Sequence, residues 1–152
     1  KAIVVNAKEP DIIALQEIQD SDGAEQSEIT HARHTYEFLL RAIALLSDTP
    51  YHWVDIEPEL NADGGQPGGN IRNGFLYRTD TVSLHKDSVR RLGLEASAFV
   101  DSRKPLCADF TLKSNQQSVS VINLHLASKR HQQSAFSPHQ RDTTVTGRNY
   151  FR

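Results

Sequence analysis

PDIIALQEIQD, Pro10 to Asp20, is the stretch from which the rest of the chain is read. Pro10 and Asp11 interrupt what precedes them. Ile12, Ile13, Ala14 and Leu15 follow without a polar residue, and Gln16 and Glu17 come next. A short apolar run bounded by breakers predicts a strand over 12–16, buried on both faces. Glu17 then stands where that strand leaves the core. In open α/β sheets the C-terminal strand ends are where ligands and reactive groups gather. Glu17 is therefore the first candidate functional residue, and its plain alternative is a solvated carboxylate at a strand end.

Working outward, KAIVVNAK (residues 1–8) reads as the end of a helix, and Asp20 to Ser27 as a polar loop. From His31 to Ser47 the apolar residues fall at Tyr36, Leu39, Leu40, Ile43 and Leu46. That spacing predicts an amphipathic helix packed on a sheet, ended by Asp48-Thr49-Pro50. Tyr51–Ile56 reads as a strand. The run Asn61 to Asn70 is a loop dense in breakers, and Ile71–Tyr77 is the next strand. Thr79-Asp80-Thr81 turns into a strand at Val82–Leu84, predicted to pair with it as a hairpin. Residues 85–101 read as irregular. Leu106–Leu112 and Ser118–Leu124, joined by five polar residues, form a second predicted hairpin. After Ala127 the chain reads as loop. The residues taken by themselves give an α/β class: part of a mixed sheet, one long helix and a short N-terminal helix on its face.

The chain has 152 residues with 38% apolar and 24% charged, which is ordinary for a globular domain with a real core. No run approaches the length of a membrane span. Met is absent and no signal-peptide pattern is present, so the chain is expected to start internally. The single cysteine, Cys107, excludes an internal disulfide and a cysteine metal site, and its apolar neighbours predict a buried, inert thiol. Charge is uneven. Residues 1–101 hold nine Lys and Arg against seventeen Asp and Glu, a net −8; residues 102–152 hold eight against two, a net +6. An acidic part can hold a cation and a basic part can meet a polyanion, although solvated surface explains both equally well.

The strand Ser118–Leu124 runs into His125, an imidazole placed to trade protons near neutral pH. Phosphodiester hydrolysis needs a metal to offset phosphate charge and a group that activates water or protonates the leaving oxygen. Glu17 and His125 could supply one of each. The glycine-rich loop is no P-loop, since it lacks Gly-Lys-Ser/Thr and leads into a strand; its glycines are expected to let the backbone turn sharply. Arg72 borders it and could contact a phosphate. Arg78 and Arg103 read as structural, and His31 and His34 as surface.

Four stretches in order resemble the endonuclease/exonuclease/phosphatase superfamily, the deoxyribonuclease I-like proteins, and among them bacterial extracellular nucleases. They are the Leu15-Gln16-Glu17 strand; GGQPGGNIRNGFLYR, Gly64 to Arg78; Arg103-Lys104-Pro105-Leu106; and Asn123-Leu124-His125-Leu126. The resemblance covers most of residues 10–128. It implies a two-sheet β-sandwich of α+β type with flanking helices. It makes Glu17 a ligand of a divalent cation, Mg²⁺ first with Ca²⁺ or Mn²⁺ as alternatives. His125 becomes a catalytic acid/base or phosphate contact, Asn123 a residue that orders the site, and Asn70 and Arg72 substrate contacts. The implied activity is that of a metal-dependent nuclease acting on nucleic acid, outside the cell. A phosphatase or sphingomyelinase-type phosphodiesterase on the same fold, or a non-catalytic binding domain, are the alternatives.

The chain also departs from the pattern. Family members pair the histidine with a carboxylate from the glycine-loop stretch, where this chain has Asn70, Ile71 and Arg72. The family's first strand, its Gly-Asp-x-Asn strand and its final Asp-His segment have no counterpart here. The expectation is one partial domain over residues 1–152, the N-terminal half of the family domain, inactive by itself.

Overall fold

The computed structural model describes residues 1–126. A single wide turn of helix at Ala2–Asn6 leads into β1 (Ile12–Ile18), α1 (Arg33–Ala44), β2 (Tyr51–Asp55), β3 (Arg72–Arg78), β4 (Val82–Arg91), β5 (Leu106–Leu112) and β6 (Ser118–Asn123), with a short helical turn at Ser97–Phe99 before β5. The strands form two three-stranded sheets, ordered β1-β3-β2 and β4-β5-β6. All pairings are antiparallel. The β-rich class with few helices fits the broad α/β or sandwich expectation, whereas no mixed sheet forms among the described residues.

Two cores separate three layers. Tyr36 and Ile43 of α1 pack with Tyr51, Leu76 and Ile18 on one face of the first sheet. Phe75, Val82, Leu106, Ala108 and Phe110 fill the space between the sheets. Neighbouring residues of β3 thus serve opposite cores, Phe75 inward and Leu76 toward the helix, as strand alternation requires. The doubly buried strand is β3, which lies between two partners. Among the described residues β1 is an outer strand, and Ala14, Gln16 and Glu17 are exposed. An apolar run cannot by itself distinguish a central strand from an outer one whose alternate residues are merely small.

Three further expectations change. β3 and β4 do not form a hairpin, because the turn after Arg78 carries the chain from one sheet to the other. β4 continues to Arg91, with an irregularity between His85 and Arg90 that hides its alternation. The helix closes at Ala44, so Leu46 lies beyond it and is exposed, while Leu39, Leu40 and Ile43 do face the core. The β5–β6 hairpin forms as expected, from Leu106↔Asn123 to Thr111↔Ser118. Cys107 is a buried free thiol. The expectation for the segment after Ala127 lies outside the described residues.

At Gly74 of β3 the Tyr36 side chain of α1 lies directly against the first sheet. A methyl group there would sit 2.0 Å from the Tyr36 hydroxyl and 3.1 Å from its Cζ. Gly74→Ala is expected to lower stability by about 1–3 kcal/mol through overpacking. The Tyr36 hydroxyl is buried with no hydrogen-bond partner among the described residues, so Tyr36→Phe is expected to leave stability unchanged or raise it. In the double variant part of the Gly74→Ala loss should be recovered. Urea midpoints of the two single variants and the double check this, and simply additive effects would contradict the contact.

Candidate active site at the seam of the two sheets

β1 pairs with β3 from Ile12↔Tyr77 to Leu15↔Gly74, then slips to Ile18↔Arg72. Three steps on β1 oppose two on β3, so β1 carries one extra residue, a bulge. Bulges re-aim side chains and recur beside functional sites. Glu17 lies in it with φ +56°, a left-handed conformation that costs a side-chain-bearing residue about 1–2 kcal/mol. The result is that Ile18 returns to the core while the Glu17 carboxylate stands in solvent, its side chain 73% exposed.

His125 follows β6 and meets it. Its Nε2 lies 3.4 Å from Glu17 Oε1, and the imidazole is largely buried. On the other side Arg103 Nε donates to His125 Nδ1 at 3.3 Å. A permanently protonated guanidinium can only donate, so Nδ1 is the acceptor and the neutral ring carries its proton on Nε2, toward Glu17. Burial pushes the His125 pKa below its ordinary value; the Arg103 charge adds to this and the Glu17 charge opposes it. Arg103 is itself partly buried, and desolvation lowers its pKa against the pull of Glu17 and Asp63. Its Nη1 donates to the Asp63 carbonyl at 3.5 Å. The Asp63 carboxylate holds Lys104 Nζ at 2.6 Å, with Arg91 Nη1 at 3.9 Å.

Arg103 and Asp63 are the site residues that the sequence reading passed over, Arg103 by weighing it as structural. A signal existed for Arg103. Pairing of Leu106 with Asn123 sets the residues just before β5 opposite those just after β6. No comparable signal marked Asp63, which arrives from a loop.

Asn123 is 2% exposed. Its Nδ2 donates to the carbonyls of Leu15 at 2.7 Å and Gly74 at 3.0 Å, both on the opposite sheet. Asn73 Nδ2 donates back to the Asn123 carbonyl at 3.3 Å and to that of Lys104 at 3.1 Å. Gln16 Nε2 adds a bond to the Leu124 carbonyl. Asn123 therefore fastens the His125 strand to the Glu17 strand. It is buried beneath the Glu17–His125 pair.

Asn70 and Arg72 do not join Glu17 and His125. Asn70 is buried, with its Nδ2 on Asp20 Oδ2 at 2.7 Å and on the Ile29 carbonyl at 3.1 Å, and its Oδ1 accepting from the Asn61 backbone at 2.8 Å. Arg72 is 3% exposed; its Nη2 donates to the Thr30 and Asn70 carbonyls, and its Nη1 lies 3.6 Å from the Asp55 carboxylate. Burial raises the Asp55 pKa, and Arg72 is what opposes that shift. These two residues clasp loops rather than present themselves to a substrate. Strand alternation sets Arg72 on the face of Leu76, opposite Phe75, where it is buried on the side of α1.

Among the described residues, no three His, Cys, Asp or Glu side chains converge to hold a metal. Glu17 alone fits the requirement partly: a hard cation such as Mg²⁺ keeps several waters and takes one or two carboxylates, with phosphate oxygens completing its shell. No protein-family model matches this chain, and no curated protein or solved structure is significantly similar to it. No helix among the described residues is long and apolar enough to cross a membrane.

In metal-free protein His125 should be the neutral Nε2–H tautomer and titrate below its ordinary value. Because the folded pKa is depressed, the stability contributed by neutral His125 is present above the unfolded value and is lost as pH falls through the folded one. Arg103→Ala should raise the His125 pKa and Glu17→Gln should lower it. Long-range ¹H–¹⁵N spectra of the imidazole across a pH series check both directions. Asn123→Ala removes a donor shared by the Leu15 and Gly74 carbonyls and should cost about 1–3 kcal/mol, measured by chemical denaturation.

Proposed function

We propose that this chain carries part of the active site of a metal-dependent phosphodiesterase acting on nucleic acid, on a deoxyribonuclease I-like sandwich. The observation that supports the reading most is the approach of Glu17 to His125 at 3.4 Å. They come from opposite ends of the described chain, from two different sheets, and a backbone bulge is maintained where Glu17 turns outward. The four stretches that resemble the superfamily meet at this seam: β1, the strand after the glycine-rich loop, the residues before β5, and those after β6.

In this reading Glu17 holds the divalent cation, which when bound offsets charge on the scissile phosphate. His125, with Nδ1 taken by Arg103, presents Nε2–H to a phosphate oxygen. It serves as a donor at the reaction centre rather than as a base, since its one free nitrogen already bears the proton. Arg103 acts through His125 by holding the ring and its tautomer. Asn123 and Asn73 keep the two strand ends in register.

The test is cleavage of plasmid DNA by the full-length protein, with and without EDTA. Glu17→Gln keeps the shape of the side chain and removes its charge. His125→Ala removes the donor. Each should reduce the rate by about 10²–10³-fold, the scale for loss of a group that stabilises charge at the reacting phosphate. Both variants should unfold near the parent's denaturant midpoint. Cleavage that survives EDTA, or full activity in Glu17→Gln, would overturn the reading.

A further inference from the structure

Behind His125 lies a small recess whose charges do not balance. Arg91, Arg103 and Lys104 line it, Asp63 is its one carboxylate, and Ile56 and Leu106 add apolar wall. The contacts converge on Asp63. Its carboxylate takes Lys104 Nζ at 2.6 Å and Arg91 Nη1 at 3.9 Å, and its carbonyl takes Arg103 Nη1 at 3.5 Å. Arg72 also borders the recess, but its guanidinium is committed to the Thr30 and Asn70 carbonyls and to Asp55. Three cations against one carboxylate leave a surplus of two positive charges. Arg103 bears most of that imbalance. It is 8% exposed, and no carboxylate among the described residues lies within ion-pair distance of it. The two acceptors it meets, His125 Nδ1 and the Asp63 carbonyl, are neutral.

Buried charges are as a rule paired, because an uncompensated one is strongly destabilising. A guanidinium keeps its proton at any ordinary pH, so Arg103 does not escape by titrating. Two kinds of occupant suit such a recess, a water or an anion. Asn73, another lining residue, has a buried Oδ1 without a partner, and a water would satisfy it. A water brings no charge, however, and leaves the surplus as it was. The apolar walls sharpen the point, since a low local dielectric screens the cations poorly. An anion supplies the missing charge and accepts from several donors at once. Size selects which anion. About 10 Å³ of the recess is open to a body the size of water, which is close to what one water requires. A chloride ion is little larger than water, whereas a tetrahedral phosphate or sulfate exceeds that space.

We propose that the recess behind His125 is a chloride site, in which Arg91, Arg103 and Lys104 donate to the ion while Asp63 holds the cations in place. The ion joins the end of β4, the segment before β5 and the Asp63 loop. It thereby steadies Arg103, the residue that fixes the His125 ring. The inference does not depend on the phosphodiesterase reading, and its test involves no cleavage.

The full chain is dialysed free of halide into sodium gluconate at pH 7.5 and melted. Chloride, bromide or phosphate then replaces gluconate at constant ionic strength, so that general screening stays fixed. Broadening of the ³⁵Cl resonance gives the Kd. At chloride about tenfold above Kd the melting temperature should rise by about 3–6 °C, given the usual linkage and the response of a chain of this size. Bromide should act as chloride does, and phosphate should give a clearly smaller rise. Arg91→Gln, at a side chain 26% exposed, should fold and lose most of the chloride response. Glu17→Gln should keep it. In crystals soaked in bromide, an anomalous peak should lie between Arg91, Arg103 and Lys104. Equal melting in gluconate and chloride, or a site that holds water alone after the soak, would overturn the proposal. So would a phosphate response as large as that of chloride, or a chloride response unchanged in Arg91→Gln.

Discussion

One side-chain amide holds the two sheets in register at the end that carries the candidate site. Asn123 Nδ2 reaches across the seam to the Leu15 and Gly74 carbonyls, where the β1–β3 ladder breaks at the bulge. Removing that donor costs both carbonyls a cross-sheet hydrogen bond, about 1–3 kcal/mol in all. The apolar core between the sheets pulls them together without fixing how far one slides over the other. A directional bond from β6 to two strands of the other sheet supplies that constraint, and Asn73 returns a bond to the Asn123 backbone.

The electrostatics of the site follow from that registration. A partly buried guanidinium, an imidazole and an exposed carboxylate lie in a row: Arg103, His125, Glu17. The cation lies on the buried side and the anion on the wet side. Burial and Arg103 both press the imidazole toward its neutral form, with its proton directed outward. This is the reverse of an acid–histidine pair, in which a carboxylate behind the ring raises its basicity. The polarity of the row favours hydrogen-bond donation to an incoming anion over proton abstraction. Lys104 and Arg91 gather around Asp63 on the same side, so the ground behind the site is basic while its front is acidic.

The glycine-rich loop has its place beneath this arrangement. Its Asn70 and the first residue of β3, Arg72, turn inward and bind the carbonyls of Ile29 and Thr30. Together they hold the long loop after β1 against the sheet. Positive φ at Gly64, Gly65 and Gly68 permits the tight path that close packing needs. The glycines are expected to let the backbone turn sharply; Gly64 and Gly68 also pass close to the Asp101 and Glu25 carbonyls, and Gly65 to the Ile71 side chain.

Much of the local structure was determined by sequence. The spacing of Tyr36, Leu39, Leu40 and Ile43 suffices for α1, and the polar five-residue turn between two alternating runs suffices for the β5–β6 hairpin. These rest on periodicity and turn chemistry, which act over a few residues. The apolar run of β1 marked a strand and placed Glu17 near its end, and the strand before His125 did the same for the histidine. Only tertiary structure decided which strand is central: among the described residues β3 has a strand on each side and β1 has one. Only tertiary structure sent β3 and β4 to different sheets, turned Asn70 and Arg72 inward, and set Arg103 behind His125. Each of those outcomes depends on which distant residue lies opposite. A single sequence encodes that through packing of the whole, and no window of neighbouring residues contains it.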